Sequence, residues 1–145
     1  MTAAGDTLLI LFVVVVLAVL SWRDFRARVI PNKIVLPAWA IVLAAQVALH
    51  PGHWDEWLIA SAVAAGVFVV PALVYPAGLG MGDAKLAGLI GAALGYSVLT
   101  GLLVGTLLAA FFSVALLLRY GSRGRRMTVP YGPFLAAGAV AVLLV

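Results

Sequence analysis

The sequence contains no cysteine. Disulfides, thiolate nucleophiles and cysteine-ligated zinc sites are therefore excluded, and the redox compartment leaves no trace. Charge is almost as scarce. Nine Lys and Arg and five Asp and Glu amount to 10% of 145 residues, where a soluble domain carries about 25%. With 66% hydrophobic residues and a mean hydropathy of +1.21, a folded surface could not be covered with polar groups in water. Soluble enzymes, nucleic-acid modules and disordered linkers are excluded, and an integral membrane protein is implied. The pI of about 10 does not argue for a nucleic-acid partner, because a membrane protein uses Lys and Arg to fix its orientation. The partners expected from composition are membrane lipids. The length allows a single membrane domain over residues 1–145.

Uncharged runs cover Thr7–Trp22, Ile34–Trp54, Trp57–Gly82, Leu86–Leu118 and Met127–Val145. A helix needs roughly 20 apolar residues to cross the hydrocarbon. The first run is slightly short, and Leu86–Leu118 is too long for one pass and tight for two. Charge decides between one pass and two. If that run crosses twice, turning near Gly95-Tyr96-Ser97, all nine basic residues share one side: Arg23, Arg26, Arg28, Lys33, Lys85, Arg119, Arg123, Arg125 and Arg126. The positive-inside rule makes that side cytoplasmic. The fold expected is all-α and polytopic, with six transmembrane helices and both termini outside the cytoplasm. The N-terminus lacks a basic stretch and carries Asp6, so it does not read as a secretory signal. Ala87, Gly91 and Gly95, then Gly101, Gly105 and Ala109, recur at four-residue spacing, the pattern of a close helix-packing face in lipid.

Asp6, Asp55 and Glu56 fall on the outer side, where solvated loop charges are the ordinary reading. Asp24 and Asp83 are the acids on the basic side, each where a helix meets the interface. Asp24 lies near a helix C-terminus among arginines, and Asp83 just before a helix N-terminus, so their environments are unlike. Taken singly, Asp83 is a helix cap and Asp24 a member of a surface ion pair. Taken together in a chain with almost no other acids, they are candidates for a catalytic pair. In such a pair one carboxylate takes a proton from water while the other, protonated, polarises a scissile carbonyl.

The residues around the two acids form three motifs. Asp24 opens D-x-R-x-x-x-I-P-N, ending at Ile30-Pro31-Asn32. Asp83 closes Gly80-Met81-Gly82-Asp83 and continues as Ala84-Lys85-Leu86, or G-x-G-D-x-K-L. Pro130-Tyr131-Gly132-Pro133-Phe134 precedes the last run. In these motifs and their order the chain resembles the type IV prepilin leader peptidases, among the GxGD-type intramembrane aspartyl proteases. The resemblance runs from about residue 8 to the end.

It implies that Asp24 and Asp83 are the catalytic aspartates, and that the substrate is a type IV prepilin or pseudopilin. The short basic leader would be cut on the cytoplasmic side of the bacterial inner membrane, usually after a glycine. Pilus-assembly or secretion machinery is the further partner it suggests. Many longer members carry an N-terminal Cys-x-x-Cys zinc domain linked to methylation of the new N-terminus. This chain has no cysteine and resembles the short peptidase-only form of tight-adherence (Flp) pilus systems, so N-methyltransferase activity is not expected. No cofactor or metal is expected either.

Six further residues are candidates for substrate positioning or structural support. Gly80 and Gly82 allow positive φ and a close backbone approach, as in a flexible strand-like segment beside Asp83. Pro31 suits a first helical position, and Asn32 could bond near the site. Arg26 and Lys85 flank the acids, with membrane anchoring as the default for Lys85. The pair His50 and His53 is read as part of a loop, Trp54 and Trp57 as interfacial anchors, and Arg119, Arg123, Arg125 and Arg126 as a basic cluster facing anionic lipid. The competing reading of the whole chain is a non-enzymatic membrane scaffold or channel subunit, which asks nothing of the aspartates. A proton-coupled transporter expects acids at mid-membrane depth, and none of the five lies there.

Overall fold

The structure is a computed structural model that describes residues 3–27, 30–75, 80–126 and 130–145. Arg28, counted above among the cytoplasmic bases, lies outside the described residues, as do the side chains of Arg125 and Arg126. Among the described residues the chain forms six α-helices and no strand: α1 (Ala3–Ala27), α2 (Asn32–Leu49), α3 (Trp54–Val74), α4 (Met81–Leu94), α5 (Val98–Tyr120) and α6 (Gly132–Leu144). Short 3₁₀ turns occupy Pro51–His53, Gly95–Ser97 and Gly121–Arg126.

The six helices follow the order of the uncharged runs, and the long run divides where the glycine lies. Gly95 adopts φ 59°, a conformation in which a Cβ is strained, and α4 stops there. Length separates the six. Ala3–Ala27, Asn32–Leu49, Pro51–Val74 and the divided stretch Met81–Gly124 are long and apolar enough to cross a membrane. Within that stretch α4 has 14 residues, and α6 has 13. At about 1.5 Å per residue each is about 20 Å long, shorter than a hydrocarbon core of about 30 Å. The first span, in contrast, is longer than its uncharged run: α1 carries on through Arg23, Asp24 and Arg26 to Ala27. Asp24 is thus inside the last turn of α1, not beyond it.

The helices run alternately up and down, with α4 at the centre. Every residue from Leu86 to Leu94 is buried, as expected for a helix apolar all round. It touches α2, α3, α5 and α6, while α1 packs on α2 and α6. The small-residue spacing is a packing face. Gly91 lies on the backbone of Ala60 and Ser61 in α3, and Gly101 and Gly105 meet Gly138 of α6. Trp39 of α2 lies against Gly88, and its indole N–H donates to Ser61 Oγ (2.6 Å), which donates to the Gly88 carbonyl (2.9 Å). Buried hydroxyl and indole groups are thereby satisfied inside an otherwise apolar bundle.

Candidate functional site

Asp24 is delivered to the bundle interior by helical periodicity. Val13, Leu17, Leu20 and Asp24 are buried in one stripe of α1, at the three- and four-residue spacing that keeps side chains on one face. The carboxylate replaces the next apolar residue of that stripe and is only 7% exposed. Its Oδ2 accepts the backbone N–H of Gly132 at 2.9 Å, across 108 residues of sequence. Gly132 is the first residue of α6, so this N–H has no partner within its own helix. The positive end of the α6 dipole adds to the attraction. Pro133 follows without an N–H of its own. A Cβ on residue 132 would lie 2.5 Å from Asp24 Oδ2, so the site demands glycine.

Asp83 enters from α4. Gly80, extended at φ −80° and ψ 152°, is the N-cap. Asp83 is in the first turn, its N–H donating to the Gly80 carbonyl at 3.1 Å. Its carboxylate faces the Gly80 N–H and is close enough to Asp24 for the two carboxyl groups to interact electrostatically. Asp83 is half-buried, so the pair joins a buried acid to one nearer the surface. The helix-cap reading of Asp83 changes accordingly: the cap position belongs to Gly80, which makes no side-chain cap bond.

The other candidates divide. Neither Gly80 nor Gly82 has positive φ, and Gly82 is helical rather than strand-like. Its small size matters for packing: a Cβ there would lie 3.1 Å from Ile30 Cβ. Ile30 is buried and ties the segment after α1 to the start of α4. Pro31 is the N-cap of α2, one position earlier than expected, and its carbonyl accepts from Ile34 (3.1 Å) and Val35 (3.0 Å). Asn32 and Lys85 join: Lys85 Nζ donates to Asn32 Oδ1 at 2.6 Å, linking α2 to α4 two residues from Asp83. Arg26 is exposed on another face of α1, its guanidinium 4.8 Å from the Trp22 ring centre, a cation–π contact on the outside of the bundle.

Two residues joined the site that the reading of single side chains had not selected. Gly132 acts through its backbone, and Tyr131 beside it holds the segment. The Tyr131 hydroxyl hydrogen-bonds Thr106 Oγ1 of α5 (2.7 Å), and its ring lies 6.1 Å from that of Phe68 in α3. The signal was the Pro130–Phe134 motif, which names residues but not the acid they face.

The opposite end of the bundle is also ordered by polar contacts. His50 Nε2 lies 3.3 Å from Asp6 Oδ1, and the His50 ring is tilted on Trp57 at 5.6 Å. Glu56 Oε1 accepts the Tyr96 N–H at 3.2 Å. Asp6 and Glu56 therefore have specific partners as well as solvent. Among the described residues no group of three or more His, Asp or Glu side chains gathers as a metal site.

The helices and the two gathered carboxyl groups describe an integral membrane protein, all-helical among the described residues, with an acid pair at one end of its bundle. The chain belongs to the type IV leader peptidase family, whose model matches residues 11–118, a stretch that includes both acids. It is similar to the prepilin leader peptidase/N-methyltransferase of Bacillus subtilis (strain 168), 29% identical over 129 residues, covering 88% of this chain and 52% of that protein. The protein of the same name from Aeromonas salmonicida (strain A449) is 30% identical over 153 residues, covering 99% of this chain and 51% of its own. The chain spans about half the length of these curated relatives. No solved structure matches it significantly.

Proposed function

We propose that this protein is an intramembrane aspartyl endopeptidase that removes the leader of type IV prepilins or pseudopilins. It is one domain over residues 1–145, crosses the bacterial inner membrane six times, and cuts at the cytoplasmic face with both termini on the other side. The observation that carries the reading is the convergence of Asp24 and Asp83. Two like charges are brought together at low exposure in a protein with five acids in all. Such an arrangement opposes folding and is retained where it is used. The distribution of charge supports the orientation, and membership of the family supports the substrate class.

In this mechanism the substrate helix lies in the bilayer with its leader junction at the rim, where water reaches more easily than at mid-depth. One aspartate takes a proton from a water molecule, whose oxygen attacks the scissile carbonyl carbon. The other, protonated, donates to the carbonyl oxygen. The tetrahedral intermediate collapses as the amide nitrogen takes a proton and leaves as the new N-terminal amine. The Gly132 N–H holds Asp24 in place and keeps one of its oxygens engaged, a charge-assisted bond of about 1.5–3 kcal/mol. Lys85 and Asn32 fix the start of α4 against α2 and so position Asp83. The proposal covers peptide cleavage alone, without methyl transfer.

The test is to incubate membranes containing the protein with a candidate prepilin and follow the leader by mass. Asp24→Ala and Asp83→Ala each abolish cleavage while the protein remains inserted at its normal level. Full activity in either variant sinks the protease reading and returns the chain to the scaffold class.

A further inference from the structure

The far end of the bundle holds a cavity of about 180 Å³ that the chemistry of the aspartates does not use. At about 30 Å³ per water it has room for about six water-sized groups, less than a drug-sized ligand needs and enough for a small polar headgroup. Asp6, Gln46, His50 and Trp57 contribute its polar wall, and Leu9 and Leu143 are among its apolar residues.

Three buried polar atoms of this wall have no hydrogen-bond partner among the described residues: Gln46 Oε1, His50 Nδ1 and Trp57 Nε1. Gln46 is only 6% exposed. Its Nε2 is committed to the Ala93 carbonyl at 3.1 Å, which fixes the amide with its oxygen as the free end. His50 is likewise oriented, with Nε2 toward Asp6 and Nδ1 as the free edge. In the neutral ring with its proton on Nε2, Nδ1 is an acceptor, and the indole Nε1–H can only donate. The wall therefore asks for a ligand with at least two donors and one acceptor.

Charge narrows the class. Asp6, Asp55 and Glu56 belong to this end, while Lys85, Arg23 and Arg26 lie at the other. A cationic group is favoured here and an anionic ligand is opposed. A primary ammonium supplies several N–H donors and a positive charge, and an adjacent phosphate supplies the acceptor. Leu9, Ile10, Val13, Ala93 and Leu143 make the apolar part of the wall, against which the start of an acyl chain would pack. We propose that this cavity binds the headgroup of an aminophospholipid, its primary ammonium toward Asp6, Gln46 Oε1 and His50 Nδ1 and its phosphate toward the Trp57 N–H. The site is at the opposite end of the bundle from Asp24 and Asp83, and its test makes no use of their reaction.

The test uses the purified full chain in detergent with phosphatidylethanolamine, phosphatidylcholine and phosphatidylglycerol of identical acyl chains, bound lipid being read by native mass spectrometry. Phosphatidylcholine keeps the phosphate and the positive charge but has no N–H donor. The result expected is retention of phosphatidylethanolamine over phosphatidylcholine by about tenfold, with phosphatidylglycerol weakest. Gln46→Leu brings the ratio toward one, whereas Trp57→Phe, which removes the donor to a phosphate that both lipids carry, weakens retention of both and leaves their ratio unchanged. Circular dichroism checks that both fold, and if Gln46→Leu does not, His50→Phe, which removes the Nδ1 acceptor and keeps a ring, is read in its place. Equal retention of the ethanolamine and choline lipids overturns the proposal and leaves the cavity to water. A preference for phosphatidylglycerol, or undiminished retention of phosphatidylethanolamine in a folded Trp57→Phe, overturns it as well. Soluble phosphoethanolamine that displaces the lipid at equal concentration assigns the site to a free solute and overturns the lipid assignment.

Discussion

The two ends of this bundle handle charge in opposite ways. At one end Asp6 faces His50, and Glu56 caps the Tyr96 N–H where the Gly95 turn exposes it. Asp6 and Glu56 each have a partner of complementary character. At the other end Asp24 is buried in the core within electrostatic reach of Asp83, and the relief comes from backbone N–H groups at the starts of α6 and α4. Helix N-termini offer unpaired donors and a positive dipole without introducing a second side-chain charge. A backbone N–H engages a carboxylate through one directional bond, whereas an arginine fork can take both oxygens. The first end is built for stability, and the second accepts strain for a purpose.

The largest effect should come from removing one charge of the acid pair. Asp83→Asn and Asp24→Asn keep shape and burial, and each should lower the rate of leader cleavage by at least about 10³-fold. Thermal unfolding in the same detergent should not fall for Asp83→Asn, because like-charge repulsion is relieved. A stability loss with retained activity would reverse the contrast between the ends.

Next in size is Gly132→Ala. Its Cβ would press on Asp24 Oδ2, and a displacement of about 1 Å at a catalytic group lowers activity by about 10²-fold. Steady-state cleavage of a prepilin peptide measures it, with membrane insertion as the control. Wild-type activity in this variant would show that the Gly132 contact does not position Asp24.

Asn32→Ala removes the acceptor of Lys85 Nζ. The bond is exposed, worth about 0.5–1.5 kcal/mol, so cleavage should slow by about two- to tenfold and recover in part in Asn32→Asp. The smallest effect belongs to the other end. Asp6→Asn loses a partly exposed pair with His50, about 0–1 kcal/mol of stability, and should leave cleavage unchanged. A cleavage defect in Asp6→Asn would mean that the two ends are coupled through α1.

Much of this architecture was legible before any coordinates. Charge scarcity gave the membrane, and the expectation that the bases share one side led to a division of the long run near Gly95, where the positive φ of that glycine ends α4. The small-residue spacing gave a packing face because close helix approach depends on the residues themselves. Helix ends were less legible. The uncharged run closes at Trp22, yet α1 continues to Ala27, because a long apolar helix tolerates charges in its last turn at an interface. Pro31 and Asp83 each differ by position within a first turn for the same reason: caps are set by local backbone angles.

By itself the sequence determined that this protein is an apolar, helical membrane protein, and that Asp24 and Asp83 are unusual. These follow from composition and period, which act over neighbouring residues. Only the tertiary structure decided that the two acids come within electrostatic reach, that Asp24 is buried, and that it accepts a backbone N–H 108 residues away. It also decided that Lys85 reaches Asn32 while Arg26 does not join them. The reason is physical: a backbone N–H leaves no signature in side-chain identity, and which helix ends adjoin is set by how α2, α3, α5 and α6 pack on α4 and α1 on α2 and α6.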